Sequence, residues 1–199
     1  MTETPATAPP VAGKPPLASP PMRAVSGGMA RKRLSPQKWI DAGLDALVAS
    51  GPAALAAEPL ARALGMTKGS FYWHFKDVPA FQDALLVHWQ SRALEQVLGH
   101  LQQQEDADRR LRDFGREILA DPVEPQLRIW ARNDARVRDI LAEVDTERLA
   151  YLSRLLGQLG LRNADFARAL LAALVGLSLD AEADSAPFDT LVDTVLALQ

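Results

Sequence analysis

Leu60-Ala61-Arg62-Ala63-Leu64-Gly65-Met66-Thr67-Lys68-Gly69-Ser70-Phe71-Tyr72-Trp73-His74-Phe75 reads as two short helices joined by a tight turn. Leu60, Ala61 and Leu64 fall at helical spacing and form one apolar face. Gly65 follows where the first helix ends, a place that wants a left-handed residue. Thr67 is positioned to cap the second helix, its hydroxyl accepting an orphan backbone N–H. Phe71 and Phe75, four apart, are expected to pack that helix back on the first. With the small Ala61 at the crossing, this is the pattern of a helix-turn-helix.

The second helix leaves Lys68, Gly69, Ser70, Tyr72, Trp73 and His74 for its outer face, and no acid stands among them. Gly69 removes a side chain, so another backbone can come close. Donors and flat rings of this kind suit a phosphate backbone and the base edges of a major groove. The same spacing also serves an ordinary helical hairpin whose aromatics are core.

Working outward, Ser35 and Pro36 open a first helix that Gly51-Pro52 ends. Trp39, Ile40, Leu44, Leu47 and Val48 are its expected buried face. Ala56 stands where a capping side chain would help the next helix, at a cost of about 1 kcal/mol. Pro59 lies in the first turn of that helix, where a missing N–H is tolerable. Asp77 caps a long fourth helix reaching about Leu101, with Phe81, Leu85, Trp89, Ala93 and Val97 on one side.

Beyond the polar Gln102–Asp106 link, helical rhythm continues. Leu111, Phe114, Ile118 and Leu119 face inward on a fifth helix, and Pro125 starts a sixth with Leu127 and Trp130. Asp134 caps a seventh, carrying Val137, Ile140, Leu141, Val144, Leu152, Leu155 and Leu159. Asn163 caps an eighth, with Phe166, Leu170, Ala173, Leu174, Leu177 and Ala181, and Pro187 opens a ninth with Phe188, Leu191, Val192 and Val195. The fold class expected is all-α, with about nine helices and no strand. Leu170–Leu179 is apolar nearly all round, which calls for burial on more than one side.

Residues 1–28 hold seven of the fourteen prolines and almost no large apolar side chain, so this tail is expected to be disordered. Met22 and Met29 are alternative starts. Arg31-Lys32-Arg33 then precedes the first helix, either as a solvated basic tail or as an arm lying along a duplex. The division expected is a tail over 1–30, a DNA-binding head over 31–79 and a helical body over 80–199.

Net charge of −3 argues against nucleic acid if read as one number. Divided at Pro79, it reads differently. Residues 1–79 carry nine Lys/Arg against five Asp/Glu, and residues 80–199 carry thirteen against twenty. The basic excess sits with the helix-turn-helix. With no cysteine, disulfides and cysteine-based sites are excluded. No apolar run nears the roughly 20 residues that cross a bilayer, and no signal peptide is evident. A soluble, non-secreted protein is expected, without membrane contact.

Catalysis finds no convergent set of reactive groups. His74, His88 and His100 are never at metal-binding spacing, and His88 and His100 are read as polar helix faces. Glu143, Asp145 and Glu147 interleave with Arg136, Arg138 and Arg148, which reads as solvated helix surface. No enzyme, no metal and no cofactor are expected.

Phe71-Tyr72-Trp73-His74-Phe75, preceded by Leu64-Gly65-Met66-Thr67-Lys68-Gly69-Ser70, resembles the DNA-binding signature of the TetR (tetracycline-repressor-like) family, and the resemblance runs from about Arg31 to Ala80. Trp130-Ala131-Arg132-Asn133-Asp134 through Leu159-Gly160 is also similar to the regulatory half of one TetR branch. The resemblance implies a bacterial cytoplasmic regulator acting on DNA, most simply a homodimeric repressor released from a palindromic operator by an unidentified small molecule. It implies that Thr67, Tyr72 and His74 bind phosphates, with Tyr72 also near a thymine methyl. Lys68 and Ser70 become the candidates for base edges, Trp73 for the sugar-phosphate wall, and Lys38 and Lys76 for backbone charge. Where relatives place a phosphate-binding lysine, this chain has Val78, and Lys76 is the nearest cation.

The resemblance further implies an effector pocket within the body, for which Trp89, Phe114, Ile118, Trp130 and Asn133 are candidates, with Arg132 a second polar anchor. The same large apolar side chains also serve as plain core. Dimerisation is implied through the last two helices, with Phe166, Leu170, Leu174, Leu177, Phe188, Leu191 and Val195 as the interface.

Overall fold

Pro36, whose ring holds φ at a helical value, opens α1 (Pro36–Ser50). The computed structural model describes residues 1–2, 35–180 and 184–197. The Pro-rich tail, the alternative starts Met22 and Met29, the Arg31-Lys32-Arg33 arm and Ala181 lie outside the described residues. Met1 and Thr2 belong to a unit that ends at Lys32 and are both exposed.

After α1 a single 3-10 turn (Pro52–Ala54) leads to α2 (Ala57–Ala63) and α3 (Lys68–His74). There follow α4 (Val78–Leu101), α5 (Ala107–Leu119), α6 (Glu124–Trp130), α7 (Ala135–Gln158), α8 (Ala164–Ser178) and α9 (Ala186–Leu196). Among the described residues there are nine α-helices and no strand. No helix among them is long and apolar enough to cross a membrane.

Thr67, Asp77, Asp134 and Asn163 each accept a backbone N–H at the start of the helix they precede. Ser35 stands at its cap position, but its hydroxyl makes no capping bond, and Ala56 has none to make. Gly65 has φ 63°, and around it the Met66 N–H reaches the Ala61 carbonyl at 2.8 Å while the Gly65 N–H reaches that of Arg62 at 3.1 Å. Two orphan carbonyls of α2 are thereby satisfied, which stops the helix and aims α3 across it.

The head is closed by rings. Phe71 of α3 lies 5.5 Å from Trp39, 5.4 Å from Phe75 and 5.3 Å from Phe81, centroid to centroid. Edge and tilted contacts of this kind each add about 0.5–1.5 kcal/mol beyond area burial. Phe81 belongs to α4, so the fourth helix completes the head's core as well as leaving it. The same cluster runs on through Trp89, then Val123, Leu127 and Trp130, to Val137, Leu141 and Val144 of α7. A second cluster joins the far half of α4 to α5, α7, α8 and α9 around Phe114, Tyr151, Leu155 and Phe188.

Three expectations change. Val48 is 37% exposed because it borders an open cleft beside Pro122 and Val123 of the α5–α6 link. His100 is 2% exposed, not on a polar surface, with its ring edge-on to Phe114 and Nε2 3.0 Å from a Glu117 oxygen. Arg148 is buried as well, against the fully buried Glu124 of α6. His88 keeps a half-exposed place beside Gln37.

Candidate nucleic-acid interface

The seven residues of α3 are held by one anchor, one cap and one turn. Phe71 is fully buried, and Thr67 Oγ1 accepts the Ser70 N–H at 3.3 Å. With Phe71 turned inward, the neighbouring positions must point out. Lys68, Gly69, Tyr72 and Trp73 are exposed, while Ser70 and His74 are half-buried. Tyr72 and Trp73 are 45% and 66% exposed, a large apolar area for a folded chain to leave uncovered. The Trp73 and His74 rings meet edge to face at 4.9 Å, so each limits the other's rotation.

A Cβ built at Gly69 would meet only Thr67 Oγ1, at 3.9 Å. Nothing inside the protein requires a glycine there, and the space lies outside. Thr67 spends a lone pair on its cap and keeps its O–H to donate. Lys38, in the first turn of α1, and Lys76, just after α3, are both exposed. Lys38 precedes Trp39, whose ring packs on Phe71, so the first turn of α1 rests beside α3. Of the nine DNA-binding candidates seven are exposed and Ser70 and His74 half-buried, and α3 carries no acid in its first turn.

The five pocket candidates are not brought together. Trp89 and Trp130 lie in the cluster shared with the head, Phe114 and Ile118 lie in the other, and Asn133 is exposed. Trp89 does border an open cleft of about 370 Å³ between α4 and the end of α5, where its indole N–H donates to Asp121 Oδ2 at 2.9 Å. Sequence reading passed over Arg92 and Asp121 in that cleft. Arg92, three residues after Trp89 on the same helix face, was the available signal.

The seven interface candidates divide between two faces. Leu170, Leu174, Phe188 and Val195 are buried in the protomer's own core, where Phe188 fits against Gly115. Phe166, Leu177 and Leu191 are half-buried. The outward line of α8 is instead Ala169, Ala172 and Gly176, continued by Leu179 at its C-cap, and that of α9 includes Thr190 and Thr194. The resemblance assigned the last two helices to one role, and nothing in their apolar periodicity separates the two faces.

Residues 40–77 match the family of bacterial regulatory proteins described as the tetR family. No curated protein matches the chain. Among solved structures, a transcriptional regulator from Rhodococcus sp. Rha1 superposes with a TM-score of 0.70 at 19% identity, over 83% of this chain and 95% of that one. A TetR-family member from Streptomyces coelicolor A3 gives 0.61 at 22% identity, over 80% and 96%. SmeT, the repressor of the Stenotrophomonas maltophilia multidrug efflux pump SmeDEF, gives 0.59 at 19%, over 83% and 90%. Residues 40–77 thus match the tetR family in sequence, the described helices share the fold of these regulators, and the head displays a cationic, aromatic helix.

Proposed function

We propose that this chain is a DNA-binding transcriptional regulator of the TetR family, a cytoplasmic homodimeric repressor that reads a palindromic operator with paired α3 helices and is released by a small molecule. The observation carrying the proposal is the exposed face of α3, where Tyr72 and Trp73 stand uncovered beside Lys68 and an unfilled space at Gly69. Thr67, Tyr72 and His74 contact phosphates in this reading. Lys68 and Ser70 reach base edges, Trp73 packs along the sugar-phosphate wall, and Lys38 and Lys76 add charge to the flanks.

Pairing uses the outward line of α8 and the exposed threonines of α9, with half-buried Phe166, Leu177 and Leu191 beneath. Two-fold symmetry would set the recognition helices about 34–36 Å apart, or a multiple of it, to meet successive major grooves. The sign of regulation follows SmeT, a repressor with the same fold. Its work is binding, not turnover, as in the other regulators of this fold. Moving such a protein from mostly bound to mostly free requires about 5.5 kcal/mol of differential affinity between two states.

A duplex selected from a random pool, titrated by fluorescence anisotropy across a salt series, tests the proposal. Affinity should fall steeply, with a log–log slope of about −0.9 per phosphate neutralised. A protein that sediments as a monomer and ignores every duplex at low ionic strength would overturn it.

A further inference from the structure

All five lysines of the chain, Lys14, Lys32, Lys38, Lys68 and Lys76, precede residue 80, and the thirteen Lys/Arg positions after it are all arginine. Six of those arginines, Arg109, Arg112, Arg116, Arg128, Arg136 and Arg148, are held in ion pairs with carboxylates. In the described head the pattern reverses. Its one arginine, Arg62, pairs with Glu58 at 3.2 Å. The side chains of Lys38, Lys68 and Lys76 are exposed and make no hydrogen bond or ion pair among the described residues.

The two kinds of cation differ in chemistry as well as in partners. A guanidinium stays protonated in proteins and offers no lone pair. The neutral form of a lysine amine is a nucleophile, and acylation turns the cation into an uncharged amide. A reagent that acylates amines therefore leaves every guanidinium of the body charged and erases side-chain charge only within the first 76 residues.

Lys68 also stands where one class of reagent would be held. It follows Thr67, whose O–H is left to donate once Oγ1 has accepted the Ser70 N–H at 3.3 Å. It shares α3 with exposed Tyr72 and half-buried His74, and no acid lies between Thr67 and Lys76. These are the donors assigned above to DNA phosphates. A phosphoryl group on a small molecule asks for the same partners.

We infer that Lys38, Lys68 and Lys76, with Lys68 foremost, are acylation sites that take their acyl group from a small acyl phosphate and thereby switch off duplex binding. The inference rests on reading α3 as the duplex-binding helix and adds a covalent control acting on it. The amine nitrogen attacks the acyl carbon, an N–C bond forms, and the C–O bond to phosphate breaks. Inorganic phosphate leaves with that bond's electron pair, and the amine proton passes to solvent. Each event removes one positive charge that a duplex would meet. Bound duplex covers the same amines, so the reaction falls on free protein and blocks its return to DNA.

Partial acetylation of the full chain with acetyl phosphate, and in parallel with the uncharged reagent N-hydroxysuccinimidyl acetate, tests the inference by peptide mass spectrometry. Measured against Lys14, Lys68 should favour acetyl phosphate over the neutral ester by about threefold or more, and excess inorganic phosphate should remove that preference. The partly acetylated protein is then passed over immobilised duplex. Acetyl groups on Lys38, Lys68 and Lys76 should be depleted about threefold or more in the retained fraction, again measured against Lys14. The triple variant Lys38→Arg, Lys68→Arg, Lys76→Arg, compared with its own untreated affinity, should not respond to a treatment that weakens the wild type. Equal acetylation of retained and unretained protein, the same Lys68 preference with both reagents, or an equal loss of affinity in the arginine variant would overturn the inference. If untreated protein binds duplex with steep salt dependence in such a case, only the acylation switch fails. If untreated protein binds no duplex, the regulator reading fails and the switch with it.

Discussion

The Arg148 guanidinium meets the Glu124 carboxylate through two contacts, Nη1 to Oε1 at 2.7 Å and Nη2 to Oε2 at 2.8 Å, with both side chains shut off from solvent. Arg128, one turn along α6, donates to the same Oε1 at 2.7 Å and clasps Asp145 of α7 through two bonds of 2.6 Å. Two acids and two guanidinium groups thus form a neutral cluster that ties α6 to α7. Replacing one partner leaves a buried charge uncompensated, so Glu124→Gln should cost about 3–5 kcal/mol. Denaturant unfolding at neutral pH measures this. A paired apolar replacement, Glu124→Leu with Arg148→Met, should recover most of the loss, because the desolvation penalty disappears with the charges.

The same cluster predicts a pH dependence of defined sign. Burial alone would push the Glu124 carboxyl up, but the hydrogen bonds and charges of Arg148 and then Arg128 outweigh it and hold the group below the ordinary carboxylate range. A carboxyl whose folded value is depressed contributes stability that is complete above its unfolded value, about 4.3. That contribution drains away as pH falls through the folded value. The stability gap between wild type and Glu124→Gln should therefore be constant from pH 7 to about 5 and narrow below it. A gap that widens on acidification would assign the effect to other groups.

How much of this was legible in the sequence depended on whether local rules could speak. Gly65, Thr67, Asp77 and Asn163 punctuate helices through their own backbone chemistry, and each does in the structure what its position implies. The exposed side of α3 was legible for the same reason, since buried Phe71 and Phe75 fix which way a seven-residue helix must turn. Arg148 was misread because interleaved charges on a helix look solvated until Glu124, from a different helix, arrives opposite. Val48 was misread because its cover would have to come from the α5–α6 link, and an open cleft lies there instead. Leu170 and Leu174, given to the interface by resemblance, are buried within the protomer, since an apolar face alone is silent on which chain buries it.

Gly69 provides a prediction that separates folding from function. A glycine inside a helix is less favourable than alanine by about 0.8–1.0 kcal/mol, and here a Cβ has room. Gly69→Ala should therefore stabilise the free protein slightly, seen as a small rise in melting temperature. If the open space belongs to an approaching backbone, the same substitution should weaken duplex binding. A variant that gains stability and keeps full affinity would show that the space is idle.

Base reading and phosphate contact on α3 should also separate. Tyr72→Ala and His74→Ala should reduce affinity to a similar degree for operator and unrelated duplex. Lys68→Ala and Ser70→Ala should lower the operator's advantage at particular base pairs, by about 1–3 kcal/mol where a bidentate contact is lost. Competition binding against single-base variants of the operator measures both. A uniform loss across all duplexes in the Lys68 and Ser70 variants would move these residues to the backbone-contact group.

The two faces of α8 make the last prediction. Leu174 is fully buried in the protomer, whereas Ala172 and Gly176 face outward. Leu174→Ala should cost about 2–5 kcal/mol of stability, the penalty for a cavity in a packed core. Ala172→Arg and Gly176→Arg should leave the protomer folded, since a Cβ at Gly176 meets nothing within 4 Å. They should instead place a charge in the pairing surface and shift the protein to monomer in sedimentation, with loss of tight operator binding because a lone head reaches one half-site only. Arginine variants that remain dimeric would place the pairing surface on other residues than this line of α8.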